Sequence, residues 1–271
     1  MKRILLPFGS DSADDAPVAA AAALAQRHGS RITAMFCPRL PDPVIVDPMS
    51  GGVVSYDGLD GELETHRDAA VARIRERIAA CDPPMAADTV NVDMSAISNW
   101  RQVGEAARVH DVSLYTRSKD NPHWQTLFEM ALFEGGRPTV LIPEQWERPF
   151  GDVVGIAWNH STETARVVAL AMPILRAASR VIVITVEGWV HAGPGGDALV
   201  DYLASHDIEV ELKAGPGGGN PGTRSLDIAA EAGVDFLVKG AYTQSRLTQM
   251  IFGGATRIIL DQAQIPVIFA H

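Results

Sequence analysis

The sequence predicts an α/β protein in which each half of the chain forms a doubly wound parallel sheet. Short continuous apolar runs alternate with helix-like segments along the chain, as in parallel sheets that are buried on both faces. The order of these segments is the same in the two halves, which indicates an internal repeat. Right-handed crossovers then make a doubly wound sheet the expected arrangement in each half.

In the first half we expect strands and helices to alternate, beginning and ending with a strand. An apolar run at residues 4–7 precedes an Ala-rich helix at 14–28, which Gly29 ends at the C′ position. Residues 38–59, rich in proline and glycine, are expected to form an excursion after the second strand. The other predicted elements are strand 31–37, helix 62–81, strand 89–92, helix 97–110, strand 111–115, helix 124–133 and strand 138–143.

The second half repeats this order after a short junction. Residues 144–151 contain charge, proline and glycine, so we expect one domain over 1–144 and another over 151–271, packed closely together. The predicted elements are strand 153–157, helix 163–178, strand 180–186, helix 197–205, strand 208–213, helix 224–232, strand 235–238, helix 246–263 and strand 266–270.

The composition excludes several classes of protein. The 271 residues carry a net charge of -10, whereas a protein that grips nucleic acid through phosphates needs a basic face. Cys37 and Cys81 are the only cysteines, which excludes a disulfide scaffold and fits a reducing compartment. No apolar run reaches membrane length without charges. We therefore expect a cytoplasmic protein with no nucleic-acid partner and no membrane partner.

The stretch 236–270 resembles the C-terminal signature of universal stress proteins. It reads FLVKGAYTQSRLTQMIFGGATR and ends IPVIFA. In that family a strand ends in glycine, a second glycine follows after two residues, and Gly-Ser/Thr follows nine residues later. Gly240 fits the first glycine, Gly253 fits the third, and Thr256 matches a threonine often found just after it. The resemblance covers nearly the whole chain and implies two tandem Rossmann-like domains, each with five parallel strands in the order 3-2-1-4-5.

In physical terms the signature is an anion site. Glycines let the backbone approach phosphates, and N–H groups at a turn and a helix N-terminus face the negative charge. In ATP-binding members an aspartate after the first strand helps to hold the adenosine end. The resemblance thus implies ATP, with Mg²⁺, as a ligand of the second half. Its site would consist of Ala157, Asn159, Gly240, Tyr242, Gly253, Gly254 and Thr256.

The second half departs from the signature at three positions. Thr243 stands where the second glycine is expected, and Gly254 stands where Ser or Thr is expected. Asn159 replaces the aspartate, so it can hydrogen-bond a ribose but carries no charge. The positions of Thr243 and Gly254 therefore decide whether the cleft can cradle a phosphate.

The first half departs further and is expected to be a structural partner of the second half. Gly9 stands at the aspartate position, and Asp11 follows two residues later. Residues 115–117 (Tyr-Thr-Arg) replace the glycine turn, and residues 121–123 contain no glycine. Gly135 and Gly136 lie late, close to the final strand.

Several further motifs are interpreted as structural. Gly217, Gly219 and Gly222 match G-x-G-x-x-G, but the motif lies in mid-domain and contains a proline, so we interpret it as a glycine loop. We expect Ser10, Ser161 and Ser245 to cap helices and His160 to line the cleft. Trp158 either walls an adenine pocket or packs beneath the domain interface, and we favour the second role.

Three functions remain open. We favour a non-catalytic stress-response protein that senses a nucleotide or metabolite in the second half, or that acts through protein contacts. A slow ATPase at the same cleft and a structural dimerisation module with an empty cleft are the alternatives. No catalytic or metal-binding residue is assigned. Strands 138–143 and 266–270 are expected to pair within one chain as an intramolecular pseudo-dimer, and a homodimer of the whole chain is a further expectation.

Overall fold

The protein is described by a computed structural model that covers residues 1–9, 17–37, 59–81, 87–90, 99–118, 123–144, 146, 148–241 and 254–271. The elements of the first half are β1 (Arg3–Phe8), α1 (Pro17–His28), β2 (Arg31–Phe36), α2 (Leu59–Ala79), β3 (Ala87–Val90), α3 (Asn99–Ala107), β4 (Val112–Thr116), α4 (His123–Glu134) and β5 (Thr139–Ile142). Those of the second half are β6 (Val153–Ala157), α5 (Thr162–Ala177), β7 (Arg180–Val186), α6 (Gly196–Ala204), β8 (Val210–Gly215), α7 (Pro221–Glu231), β9 (Phe236–Gly240), α8 (Ala255–Gln262) and β10 (Val267–Ala270).

The described strands form one continuous sheet in the order β3-β2-β1-β4-β5-β10-β9-β6-β7-β8. Counted within each half, this order is 3-2-1-4-5. Neighbouring strands are parallel within each half, whereas β5 and β10 pair antiparallel, with Leu141 opposite Val267 and Thr139 opposite Phe269. The predicted α/β class is confirmed, and β5 and β10, the last strands of the two halves, pair with each other.

Helices cover both faces of the sheet, and consecutive pairs of helices pack on the same face. Buried side chains of α1, α2, α5 and α6 pack on one face, and those of α3, α4, α7 and α8 pack on the other. Double coverage explains the continuous apolar runs, because each strand must bury both sets of side chains. Residues that represent the two faces are Val18, Ile74, Val167 and Leu203 on the first, and Val103, Phe128, Ala229 and Ile259 on the second.

The two halves share one device at the amino end of the sheet. Asp111, just before β4, accepts hydrogen bonds from the backbone N–H groups of Lys2 and Arg3. Asp235, just before β9, accepts from the N–H groups of Gly151, Asp152 and Val153. Each aspartate thus ties the fourth strand of its half to the start of the first. Since the two residues play the same part, they fix the alignment of β4 with β9.

The carboxyl group of Asp111 is held in its ionised form. Burial opposes ionisation, but the bonds from the N–H groups of Lys2 and Arg3 outweigh it and lower the pKa. The nearby N-terminal amine and Arg137 act in the same direction.

Some element boundaries differ from those predicted. The helix expected from residue 224 begins at Pro221, because the Asn220 side chain caps it by accepting from the Gly222 N–H at 2.8 Å. Proline at the first helical position favours this start, and the Asn-Pro pair is its sequence signal. The strands expected at 89–92 and 208–213 lie at Ala87–Val90 and Val210–Gly215. Gly29 ends α1 with a φ of 60°, as predicted.

Other predictions fall on residues that lie outside the described ranges. These are Ser10, Asp11, the helix start at 14–16, the excursion at 38–58, residues 121–122, and residues 242–253 with Tyr242, Thr243, Ser245, Arg246 and Gly253.

Candidate functional site

The strand order creates a crevice between the carboxyl ends of β6 and β9. After β6 the chain continues into α5 on one face of the sheet, whereas α8, the next described helix after β9, lies on the other. Connections that leave in opposite directions form a switch point, where ligands bind in open α/β sheets. Ala157 and Gly240, both buried, end the two strands.

On the β6 side, Asn159 is turned toward the start of α5. Its side-chain oxygen Oδ1 accepts from Thr164 Oγ1 at 2.6 Å and from Ser161 Oγ at 2.8 Å. Ser161 Oγ also caps α5 by accepting from the Thr164 N–H at 3.2 Å, which confirms its predicted role. All three residues are buried. Oδ1 is therefore committed to the helix, and only the amide nitrogen of Asn159 remains for a ligand.

The segment after β7 folds across the loop that follows β6. The N–H of His191 donates to the carbonyl oxygen of Asn159 at 3.0 Å. Gly193 lies against His160, where a Cβ would stand 2.6 Å from the His160 carbonyl oxygen. His160 has a φ of 65°, which a non-glycine residue adopts only under local constraint. We name residues 189–194 the cover segment.

On the β9 side, Gly240 allows α5 to pack closely on the sheet. A Cβ at this position would lie 2.5 Å from the Thr164 nitrogen and 2.6 Å from Thr164 Oγ1. The glycine that the sequence assigned to a phosphate turn therefore has a packing role toward the first turn of α5. Gly240→Val would disturb this contact whether or not a ligand binds.

The N-termini of α7 and α8 meet on the other face of the crevice. Gly254 is the N-cap of α8 with no side-chain capping bond, and a Cβ there would meet no atom of a described residue within 4 Å. A Cβ on Gly222 of α7 would lie 2.6 Å from the carbonyl oxygen of Ala255. Thr256, in the first turn of α8, is buried.

Lys239 is a crevice residue that the sequence analysis missed. It is only 1% exposed, and its ammonium Nζ donates to the carbonyl oxygen of Gly240 at the carboxyl end of β9. The ring of Trp189, in the cover segment, lies with its centroid 5.3 Å from Nζ. Burial lowers the pKa of Lys239 to about 8, although the charge of Glu163 opposes the shift.

No described residue forms an ion pair with Lys239. The neighbouring stretch 242–253, which the structure does not describe, contains no Asp or Glu. The sequence signal for this site was a lysine within the apolar run FLVKG, since a parallel strand buried on both faces has no solvated side for a charge.

The first half fills the equivalent position with an aromatic side chain. When Asp111 is aligned with Asp235, Tyr115 occupies the position in the first half that Lys239 occupies in the second. Tyr115 is 3% exposed and packs edge-on against Phe128, with ring centroids 5.8 Å apart. The buried ammonium is thus a feature of the second half alone.

Arg117 lies in the first half at the position where the glycine turn was expected. Its guanidinium donates to the carbonyl oxygens of Leu260 at 3.0 Å and Ala263 at 2.9 Å, at the C-terminal end of α8. Cations stabilise that end of a helix, where carbonyls lack partners. Arg117, at the position that would form part of a phosphate-binding turn, therefore contacts the second half of the chain.

The other glycines of the first half are structural. A Cβ on Gly135 would overlap the carbonyl oxygen of Ala131 in α4, and Gly136 has a φ of 59°. Together they end α4. Gly9, at the aspartate position, follows β1 and is buried.

In the second half, the G-x-G-x-x-G match is likewise explained by packing and turns. A Cβ on Gly217 would lie 2.8 Å from the Glu187 carbonyl oxygen, and Gly219 has a φ of 72°.

Trp158 packs between α5 and α6 rather than beneath the contact of the two halves. Its indole Nε1 donates to the Pro194 carbonyl oxygen at 3.0 Å, and its ring borders a cavity with Leu199 and Tyr202. Trp158 therefore holds the cover segment to the helices of the second half.

The described residues form neither a metal-binding cluster nor a membrane-spanning helix. Within them, no group of three or more His, Cys, Asp or Glu side chains is placed to hold a metal ion. None of the helices described is long and apolar enough to cross a membrane.

The fold and the crevice define a doubly wound, Rossmann-like α/β protein, and its structural neighbours are universal stress proteins. One from Archaeoglobus fulgidus superposes with a TM-score of 0.74 at 15% identity, over 99% of this chain and 95% of that chain. A Pseudomonas aeruginosa protein provisionally described as a universal stress protein gives 0.61 at 13% identity, over 100% and 93%. A protein of unknown function from the same species gives 0.62 at 14% identity, over 100% and 92%.

These comparisons concern structure alone. No protein-family model matches the chain, and no curated protein matches its sequence. The shared property is therefore the fold of universal stress proteins.

Proposed function

We propose that this chain is a non-catalytic, cytoplasmic binding protein of universal stress protein type. Its second half holds an anionic small molecule of the nucleotide class at the crevice between β6 and β9. Residues 1–144 and 151–271 act as the two domains of an intramolecular pseudo-dimer, in which the first domain supports the second. The observation that carries the proposal is the buried ammonium of Lys239, which forms no ion pair with any described residue.

An ammonium without a counter-ion is costly inside a protein. The effective penalty for desolvating one ion is several kcal/mol, and a buried charge is normally paired. Lys239 has one carbonyl oxygen and the face of Trp189 as its described contacts. A phosphate would supply the missing charge, and the N-terminus of α8 would face the same anion.

The aromatic part of the ligand would pack against the cover segment. Trp189 reaches the crevice from the end of β7 and is partly buried against the cluster that contains Ala157. Its ring offers a flat surface for a base, because aromatic stacking tolerates many ring systems. Asn159 would contribute through its amide nitrogen, since its oxygen is bonded to Ser161 and Thr164.

Calorimetry with ATP and with AMP, each with and without Mg²⁺, tests the proposal. We expect saturable binding to the wild type and at least about tenfold weaker binding to Lys239→Met, because a charged partner is lost. Lys213→Met on β8 is the matched control, since it removes the same charge from a strand outside the crevice. Gly240→Val is unsuitable, because it clashes with Thr164.

Three results would contradict the proposal. Equal affinity of wild type and Lys239→Met would exclude Lys239 from the site. No binding up to millimolar nucleotide would favour the structural module, which the contact of Arg117 with α8 already supports as a second candidate. Phosphate release from bound ATP would instead indicate the slow ATPase.

A further inference from the structure

A second cavity lies on the opposite face of the sheet from Lys239, between α5 and α6. Its volume is about 300 Å³, and it opens to solvent beside Tyr202. Trp158, Val168, Pro194 and Leu199 form its walls and floor. Trp158, Val168 and Leu199 belong to the cluster on the α5 and α6 face. Leu237, two residues before Lys239 and on the same side of β9, belongs to the other cluster. The cavity is therefore separate from the crevice.

The lining of this cavity is largely apolar. The indole Nε1 of Trp158 donates to the Pro194 carbonyl oxygen at 3.0 Å, so this N–H needs no partner in the cavity. None of the described residues that line it is charged. Tyr202, at the mouth, is 44% exposed and stands edge-on to His206, with ring centroids 4.8 Å apart.

We propose that this cavity binds a small neutral aromatic molecule. Small-molecule sites begin at about 300 Å³, and an apolar cavity of half that size can hold benzene. A helix with its side chains is about 10 Å wide, so a docked helix does not fit. Trp158 and Tyr202 offer two aromatic surfaces for offset or edge-on contact. The apolar lining disfavours a charged guest.

The neutral fluorescent probe N-phenyl-1-naphthylamine tests the proposal on the full-length chain. We expect saturable fluorescence enhancement with a single site. Ala198→Leu, on the α6 wall, should fill the cavity and weaken binding of the probe at least about tenfold. Ala169→Leu is the matched control, since Ala169 is exposed on α5 but does not line the cavity. Both positions are helical and accept leucine readily, so both variants should fold.

Each remaining outcome decides the matter. Equal binding by the Ala198→Leu and Ala169→Leu variants would place the probe elsewhere and overturn the proposal. Absence of saturable binding to the wild type would also overturn it. A concentration-dependent dimer that Ala198→Leu disperses would show a second copy of the chain as the occupant instead. Unchanged probe binding by Lys239→Met is expected, so this test and the nucleotide test can fail independently.

Discussion

At the scale of single residues, Lys239 gives the protein a stability that depends on pH. Its pKa is about 8 in the folded chain, against 10.5 for an ordinary lysine. Below pH 8 the ammonium is charged in the folded and unfolded states alike, so the full cost of burying it is present. Between pH 8 and about 10 the unfolded chain holds the proton and the folded chain does not. The free energy of unfolding therefore rises with pH in this window.

We expect Lys239→Met to raise the free energy of unfolding at pH 7 by up to about 3 kcal/mol, since one pKa unit corresponds to about 1.4 kcal/mol. The contribution of Lys239 to the rise between pH 8 and 10 should disappear. Urea unfolding at pH 7, 8, 9 and 10 measures both effects. Lys213→Met serves as the control, and parallel pH curves for wild type and Lys239→Met would refute the assignment.

Gly240 is expected to be intolerant of any side chain. Gly240→Ala should lower the free energy of unfolding by about 1–3 kcal/mol, because the new methyl group overlaps the first turn of α5 at Thr164. Gly254→Ser is the contrasting control, since it meets no atom within 4 Å and can cap α8, gaining a few tenths of a kcal/mol. Thermal unfolding compares the two, and equal stability of wild type and Gly240→Ala would contradict the packing role.

At the scale of elements, Arg117 joins the end of β4 in one half to the end of α8 in the other. Burial lowers the pKa of its guanidinium, which stays charged because its ordinary pKa is so high. The charge therefore faces two carbonyl groups that the helix itself leaves without partners. Hydrogen bonds from a charged donor are stronger than those between neutral groups.

We expect Arg117→Met to lower the free energy of unfolding by about 2 kcal/mol, since the aliphatic stem is kept and the charged bonds are lost. Arg101→Met is the control: Arg101 is 70% exposed and pairs with Glu105 one turn along α3, a contact worth about 0.5 kcal/mol or less. Urea unfolding measures both variants. A similar loss for the two would mean that Arg117 contributes no more than a surface pair.

At the scale of the whole molecule, the two halves complete one sheet. Without residues 1–150, β10 would be an open edge with unpaired backbone groups, and open edges recruit other strands. We expect residues 151–271 produced alone to associate with themselves through β10, as dimers or aggregates. Sedimentation of this fragment beside the full chain measures the effect, and a stable monomeric fragment would contradict it.

The sequence predicted the alternation of strands and helices well, because doubly buried strands leave continuous apolar runs. It predicted the crevice site less well. The sequence assigned Gly240 to a phosphate turn, and its packing role was missed. Its contact with Thr164 depends on how α5 packs on β9, and the local sequence pattern does not reveal that packing. Lys239 was passed over because a lysine beside a glycine looks like the solvated end of a strand. The inward bonds of Asn159, by contrast, join residues no more than five positions apart in the chain and could have been foreseen.

The antiparallel pair of β5 and β10 also bears on how the halves could diverge. Two identical subunits meeting at this edge would separate on dilution, and each change would appear on both sides of the contact. Here the two halves belong to one chain, so each half always pairs with the same counterpart in a one-to-one ratio. A change useful in one half need not be tolerated in the other. Such permanent pairing permits asymmetry between the halves. Tyr115 stands at the position equivalent to Lys239, and Arg117 stands where a glycine turn was expected.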